Sequence, residues 1–350
     1  MNKAWCSFSR SSQIKRIKPN CDANKDKSGD NIKDKSGVEW VQLDSNNAVL
    51  IARKDFIFMA TFRTITPQSI DAATTLGVTT LRVADAGRSL VFYRDLLGFQ
   101  VLEQTESTIL LGSPNQVVLR LDVEAGLKRH PSHTTGLYHA AILLPTRLDL
   151  AYVLQRLLAV RYRFGASDHA VSEALYLDDP DGNGLEIYRD RPRNEWRWGA
   201  NGEVHMVTES LDLYGVLAEI TPTAPAWAGI PAGTKIGHMH LQVGNLRQAE
   251  EFYHGVLGFD IVAHYPGALF VSAGGYHHHL GLNVWQSQNG PQQPNDAAGL
   301  GYFEIIMPNQ AALEIVRQRL QVAEVAVQEQ VDGLVVHDPW QTELRFIVAA

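Results

Sequence analysis

Apolar residues along this chain recur with two periods, and the order of those periods itself repeats. From Thr80 to Val83 apolar and polar positions alternate, as in a half-buried strand, and the segment runs into Asp85, a good helix N-cap. Leu90, Phe92-Tyr93 and Leu96-Leu97 then recur at helical spacing, Gly98 supplies the stop, and Phe99 to Leu102 return to strand. The same frame reappears as His240 to Val243, Asn245, then Ala249, Phe252-Tyr253, Val256-Leu257, Gly258, and strand from Phe259 to Val262. Both helices spell FYxxxLGF, at 92–99 and 252–259, which marks a duplication.

Two further segments keep the frame without the FY signature. His139 to Leu144 predicts a strand, Leu148 to Leu158 a helix, Ala174 to Leu177 a strand, and the turn Asp179-Pro180-Asp181-Gly182-Asn183-Gly184 leads into Leu185 to Tyr188. In the last copy Tyr302 to Ile306 precedes a helix from Ala311 to Leu320, and Val335 to Trp340 leads into Leu344 to Ile347. Units of this length must stack to bury their faces. The pattern predicts four βαβββ modules at 75–124, 136–190, 236–286 and 300–349. Read consecutively, these give a first domain at 75–190, a linker at 191–235 and a second domain at 236–349.

The first 58 residues differ in kind. They carry a local charge of +4 within a chain of −7, leaving −11 for the remainder. Asp26-Lys27-Ser28-Gly29 and Asp34-Lys35-Ser36-Gly37 are polar and turn-forming, so a disordered leader or an artefactual extension is expected over 1–58. A cytosolic chain beginning at Met59 is the expectation that follows, with a cytoplasmic location. Cys6 and Cys21 both lie in the leader, so disulfides and Cys-bound zinc have no part in the modules. The acidic balance argues against nucleic acid as a partner, and no run approaches the ~20 apolar residues of a membrane span. A homo-oligomer stays open.

FYxxxLGF after a strand, combined with DPDGNGLE before a final strand, resembles the vicinal oxygen chelate superfamily, which includes glyoxalase I, extradiol ring-cleaving dioxygenases and antibiotic-resistance proteins. Residues 135–139, 168–176, 190–192 and 274–283 are similar to its bacterial catechol-2,3-dioxygenase branch. The resemblance spans about 75–349. It implies an α+β fold in which the four βαβββ modules form two paired-module domains with curved mixed sheets. It also implies metal ligands near the start of a module's first strand and on its last strand.

Strand alternation then sorts the candidates. In module two Ala140, Ile142 and Leu144 take the helix side, leaving His139 on the concave face, and Leu185 and Ile187 leave Glu186 there. In module three Met239, Leu241 and Val243 leave His238, His240 and Gln242 facing the cleft. Leu280, Leu282 and Val284 put His277, His279 and Asn283 on the concave side and turn His278 away. Modules one and four carry Val78, Tyr302 and Arg345 at the corresponding places, and Arg cannot bind a cation. The family pairs modules either consecutively or as one-four with two-three. Only the second option gathers His139, His238 and Glu186, with His279 nearby.

Two imidazoles and a carboxylate form the facial set typical of non-haem Fe(II) oxygenases. The resemblance therefore implies ring cleavage of a small aromatic diol by O2, with Fe(II) as the metal and Mn(II), Zn(II) or Ni(II) as alternatives. His240 is the first candidate for acid–base work, followed by whichever of His277 and His279 is free, while His169 and Tyr176 line the pocket. Taken singly, a strand His is more often structural; three of the right type at matching places favour a metal. Two other readings compete. A glyoxalase-like lyase or isomerase would use a fourth ligand, His279 being the candidate, and a sequestering protein would hold a planar ligand without turnover.

Overall fold

In this computed structural model the described residues are 39–42, 49–52, 69–114 and 116–349. The chain divides into two compact units, 1–60 and 61–350. In the first, β1 (Glu39–Gln42) and β2 (Val49–Ala52) pair antiparallel. The rest of the leader expected over 1–58, including both cysteines and the Asp-Lys-Ser-Gly repeats, lies outside the described residues, as does Met59.

The second unit holds four βαβββ modules. Module one runs β3 (Thr75–Val83), α1 (Ala86–Leu90), β4 (Gln100–Gln104), β5 (Thr108–Ser113) and β6 (Gln116–Val123). Module two runs β7 (Gly136–Leu143), α2 (Arg147–Ala159), β8 (Gly165–Asp168), β9 (Ser172–Asp178) and β10 (Gly184–Asp190), after which α3 (Leu213–Leu217) sits in the expected linker. Module three runs β11 (Lys235–Gln242), α4 (Leu246–Ala249), β12 (Asp260–Tyr265), β13 (Ala268–Ser272) and β14 (Leu280–Asn283). Module four runs β15 (Gly299–Met307), α5 (Gln310–Val322), β16 (Val327–Gln330), β17 (Gly333–His337) and β18 (Glu343–Val348).

The helix starts follow from their caps. Asp85 accepts from the Arg88 amide and Asn245 from that of Gln248, while Thr146 and Asp149 form a reciprocal capping box. The FY segments depart from the simple helix expected. α1 and α4 widen into π-helical turns at Val91–Leu96 and Glu250–Val256, where Leu97 and Leu257 donate to carbonyls five residues back. Paired apolar residues fit either period, so hydrophobic spacing alone does not distinguish them. Gly98 and Gly258 end the turns at φ 87° and 88°, in the region an L side chain enters only with strain.

Two mixed eight-stranded sheets result, ordered β12-β13-β14-β11-β7-β10-β9-β8 and β16-β17-β18-β15-β3-β6-β5-β4. At each centre the first strands of two modules pair antiparallel, β7 with β11 and β3 with β15. Modules two and three thus share one sheet and modules one and four the other, the arrangement the ligand distribution predicts. The consecutive division at 75–190 and 236–349 is crossed by both sheets. Consecutive modules are joined by side-chain contacts: Tyr93 donates to Asp179 of module two at 2.9 Å, and Tyr253 donates to Asp338 of module four at 2.9 Å. One hydrophobic core draws on all four modules, with Leu81, Phe92, Ile142, Leu154, Leu241, Phe252, Phe303 and Leu313 buried in it. Each such side chain contributes about 2–3 kcal/mol of transfer free energy.

Candidate metal centre

The central pair of the two-three sheet sets up a cluster of His and carboxylate. His139 on β7 stands opposite His240 on β11, Ala141 stands opposite His238, and β10 adds Glu186 beside Ala141. Ala140, Ile142, Met239, Leu241, Leu185 and Ile187 point into the core. Alternation therefore turns His139, Glu186, His238 and His240 to the other face.

His139, Glu186 and His238 are buried and offer ligand atoms that all lie within 4.8 Å of one another. No other group of this kind occurs among the described residues. Nε2 of His238 hydrogen-bonds Oε2 of Glu186 at 2.9 Å. Nε2 of His139 lies 3.0 Å from the same oxygen but without hydrogen-bond alignment, and Oε1 of Glu186 is buried with no partner. Unpaired buried acceptors are costly, and a shared cation would satisfy them. Burial alone would raise the Glu186 carboxyl, but the imidazoles of His238 and His139 outweigh it and hold it well below the usual range. Burial pushes His139 down, which leaves its ring neutral at pH 7 with a lone pair for a metal. Residue types, charge state and convergence all fit a divalent metal.

His240 is also buried, its ring 4.8 Å from that of His139, and its Nε2 has no hydrogen-bond partner. Burial and then His139 hold it well below the usual histidine range. Tyr138, Phe270 and Trp285 surround the ring at 4.9, 5.7 and 5.4 Å. On the other flank Tyr176 packs 5.5 Å from His139, and its hydroxyl meets Nε2 of His169 at 2.7 Å. The Val207 carbonyl fixes the other nitrogen of His169 at 2.6 Å. Tyr188 lies wholly buried against His238, with its hydroxyl on that of Tyr276.

The triple-histidine segment departs from the alternation reading. β14 begins only at Leu280, and Gly274 and Gly275 turn the preceding loop through φ 59° and 64°, so strand parity does not extend to 277–279. His278, expected to face away, lies 4.1 Å ring-to-ring from His238. His277 turns its Nε2 to Asp190 at 2.9 Å and its Nδ1 to His278 at 2.9 Å, with its ring 6.0 Å from that of His238. Nδ1 of His279 accepts from the Ala273 amide at 3.1 Å and meets the Ser272 hydroxyl, and this ring lies outside the His139, Glu186 and His238 group. Asp190, Phe270, Tyr276 and Trp285 are neighbours that the sequence did not single out, and His278 is one it turned away. Of these, Asp190 lies in the segment 190–192 and Tyr276 and His278 in 274–283, where the family resemblance gave the available signal.

The sister sheet keeps the geometry and loses the chemistry. Arg120 stands beside Thr80, and Arg345 beside Glu304, where the first sheet has Glu186 beside Ala141. The Arg345 guanidinium lies 3.4 Å from the centre of the Tyr302 ring and bonds Glu343.

Comparison with known proteins agrees with this arrangement. The profile of the Glyoxalase family, described as the Glyoxalase/Bleomycin resistance protein/Dioxygenase superfamily, matches residues 75–187 and 235–333. A protein of Bacillus subtilis (strain 168) named Catechol-2,3-dioxygenase is 44% identical over 280 residues, covering 77% of this chain and 96% of its own. A solved structure of a candidate dioxygenase from Bacillus subtilis subsp. subtilis str. 168 superposes with a TM-score of 0.54 at 15% identity. It covers 80% of this chain and 86% of its own, and at that identity the likeness speaks to fold alone. With paired βαβββ modules, two curled eight-stranded sheets and a profile match over most of its modules, the chain belongs to the glyoxalase/bleomycin resistance protein/dioxygenase superfamily.

Proposed function

We propose that the chain is an extradiol ring-cleaving dioxygenase that opens a catechol-type aromatic diol with O2, using Fe(II) held by His139, Glu186 and His238. Mn(II), Zn(II) and Ni(II) are the alternative metals. The observation that carries this reading is the convergence of two imidazoles and one carboxylate with no fourth protein ligand among the described residues. The 44% identity to a protein named for this reaction supports it. Iron in such a setting supplies redox chemistry between the aromatic ring and O2.

The chain's own residues would bind the diol and move its protons. Tyr138, Phe270 and Trp285 form an aromatic wall suited to a planar ring. Nε2 of His240, neutral and unpartnered, can take a hydroxyl proton from the diol. The Tyr176 hydroxyl, held by His169, presents a polar group on the opposite flank. A glyoxalase-like isomerase would need His279 as a fourth ligand, and the engagement of its Nδ1 with Ala273 and Ser272 does not support that. Among the described residues no helix is long and apolar enough to cross a membrane. A cytoplasmic setting without nucleic-acid or membrane partners is proposed with this reading.

The test is metal content and oxygen uptake. Protein reconstituted anaerobically with Fe(II) should hold about one iron per chain, and should consume O2 when given catechols. His139→Ala, Glu186→Ala and His238→Ala should each abolish the iron, and Arg345→Ala in the sister sheet should leave it. Iron retained after Glu186→Ala would overturn the ligand assignment.

A further inference from the structure

The two-three sheet has a local two-fold axis between β7 and β11, and the pair of positions beside the carboxylate breaks the symmetry. Pairing His240 with His139 and His238 with Ala141 means that the axis exchanges His139 with His238 and Ala141 with His240. β10 lies parallel to β7 with Glu186 beside Ala141, and β14 lies parallel to β11 with Gly281 beside His240. Tyr188 and Asn283 correspond in the same way, beside Leu143 and Gln242. The counterpart of the carboxylate ligand is therefore Gly281.

Nothing in the backbone calls for glycine there. Gly281 is an ordinary buried strand residue and is not among the positive-φ glycines. The neighbouring side chain supplies the reason. A Cβ at this position would lie 2.9 Å from Cγ and Cδ2 of His240 and 3.1 Å from its Nδ1, closer than such contacts occur. The ring cannot simply swing aside, because Tyr138, His139, Phe270 and Trp285 enclose it at 4.8–5.7 Å. The two halves are thus complementary. One carries the small Ala141 beside the large Glu186, and the other carries the large His240 beside Gly281.

We propose that Gly281 is the positioning residue that makes the centre asymmetric. It withholds a fourth protein ligand from the metal, and its missing Cβ provides the seat on which the His240 ring rests. The side of the His139, Glu186 and His238 set left without a further protein donor is then the β14 side, next to His240, and a chelating diol would enter there. This rests on the metal-centre reading proposed above.

Two experiments on the full chain test it. The first uses Mn(II) as probe, with water proton relaxation counting exchangeable waters. His240→Ala should leave about three positions open, whereas His240→Ala/Gly281→Glu, which rebuilds the missing carboxylate, should leave about two and bind Mn(II) at least roughly tenfold more tightly. Unchanged hydration and affinity in a double variant with normal circular dichroism would overturn the proposal. The second is a double-mutant cycle on turnover with Fe(II). Gly281→Ala should slow turnover about as much as His240→Ala, and the two together no further, because both remove the same placed ring. Additive losses would overturn the seat. A wild-type chain that takes up no divalent metal would sink the metal reading itself, and so is distinguishable from either failure.

Discussion

At the scale of single residues, two neighbouring histidines divide the proposed roles of holding a metal and moving a proton. His238 and His240 lie on one strand face, two residues or about 6–7 Å apart along the backbone. The first converges on Glu186, while the second carries an unpaired nitrogen on a ring packed among Tyr138, Phe270 and Trp285. His240→Phe should therefore keep iron and diol binding while slowing turnover by ~10²–10⁴-fold, the range for a lost acid or base. Steady-state kinetics beside iron analysis would check this. Loss of iron would make His240 a ligand, and an unchanged rate would shift the role to His277 or His278, both buried with their rings 6.0 and 4.1 Å from that of His238. His139, Glu186, His238 and His240 were legible in the sequence because each sits in a strand whose apolar neighbours declare its parity. His277 to His279 were not, because their loop reverses on two left-handed glycines and carries no period to read.

At the scale of elements, the FY signature has a structural meaning. The widened turn in each FY helix carries a buried tyrosine whose hydroxyl reaches an aspartate in the turn of the following module. Asp179 also accepts from the amides of Asp181 and Asn183, and Asp338 from those of Trp340 and Thr342. Each tyrosine completes a fully used carboxylate. Tyr93→Phe and Tyr253→Phe should each cost about 1–3 kcal/mol in urea unfolding and add in combination, with metal content unchanged. Non-additive losses would show that the two clasps are one unit. The caps and glycine stops of these helices were legible, whereas the π-helical turn was not. Its defining hydrogen bond spans five residues, a choice that side-chain periodicity does not record.

The same turns make stability depend on pH. Burial pushes the Asp338 carboxyl up to about 6, against 3.8 for an ordinary aspartate, despite the hydrogen bonds it accepts. The folded chain then binds this proton more tightly than the unfolded one. The contribution is fully present below the unfolded value and is lost as pH rises through about 6, on the order of 3 kcal/mol in all. Asp338→Asn should flatten unfolding free energy between about pH 4 and 6. A slope unchanged by the substitution would assign the dependence to other groups.

At the scale of the whole molecule, the module order predicts the sheet order only when chemistry is added. Four frames of similar pattern pair equally well in two ways, and it was the uneven distribution of His, Glu and Arg that selected two-three with one-four. The sister sheet bears this out in its own residues: Arg120 and Arg345 fill the places where a carboxylate ligand would stand.

The pairing also nests the chain like one bracket inside another. The inner bracket closes His139 against His240, 101 residues apart, and the outer closes Thr80 against Tyr302, 222 residues apart. On loop length alone the outer closure costs about 0.7 kcal/mol more, or about threefold in rate. Synthesis also supplies the inner partner first, so His139, Glu186 and His238 all exist while β3 still waits for β15. Pulsed hydrogen exchange during refolding should protect the seam between β7 and β11 before that between β3 and β15; simultaneous or reversed protection would exclude this order. A chain ordered in this way completes the His139, Glu186 and His238 cluster while its first module still has an open edge.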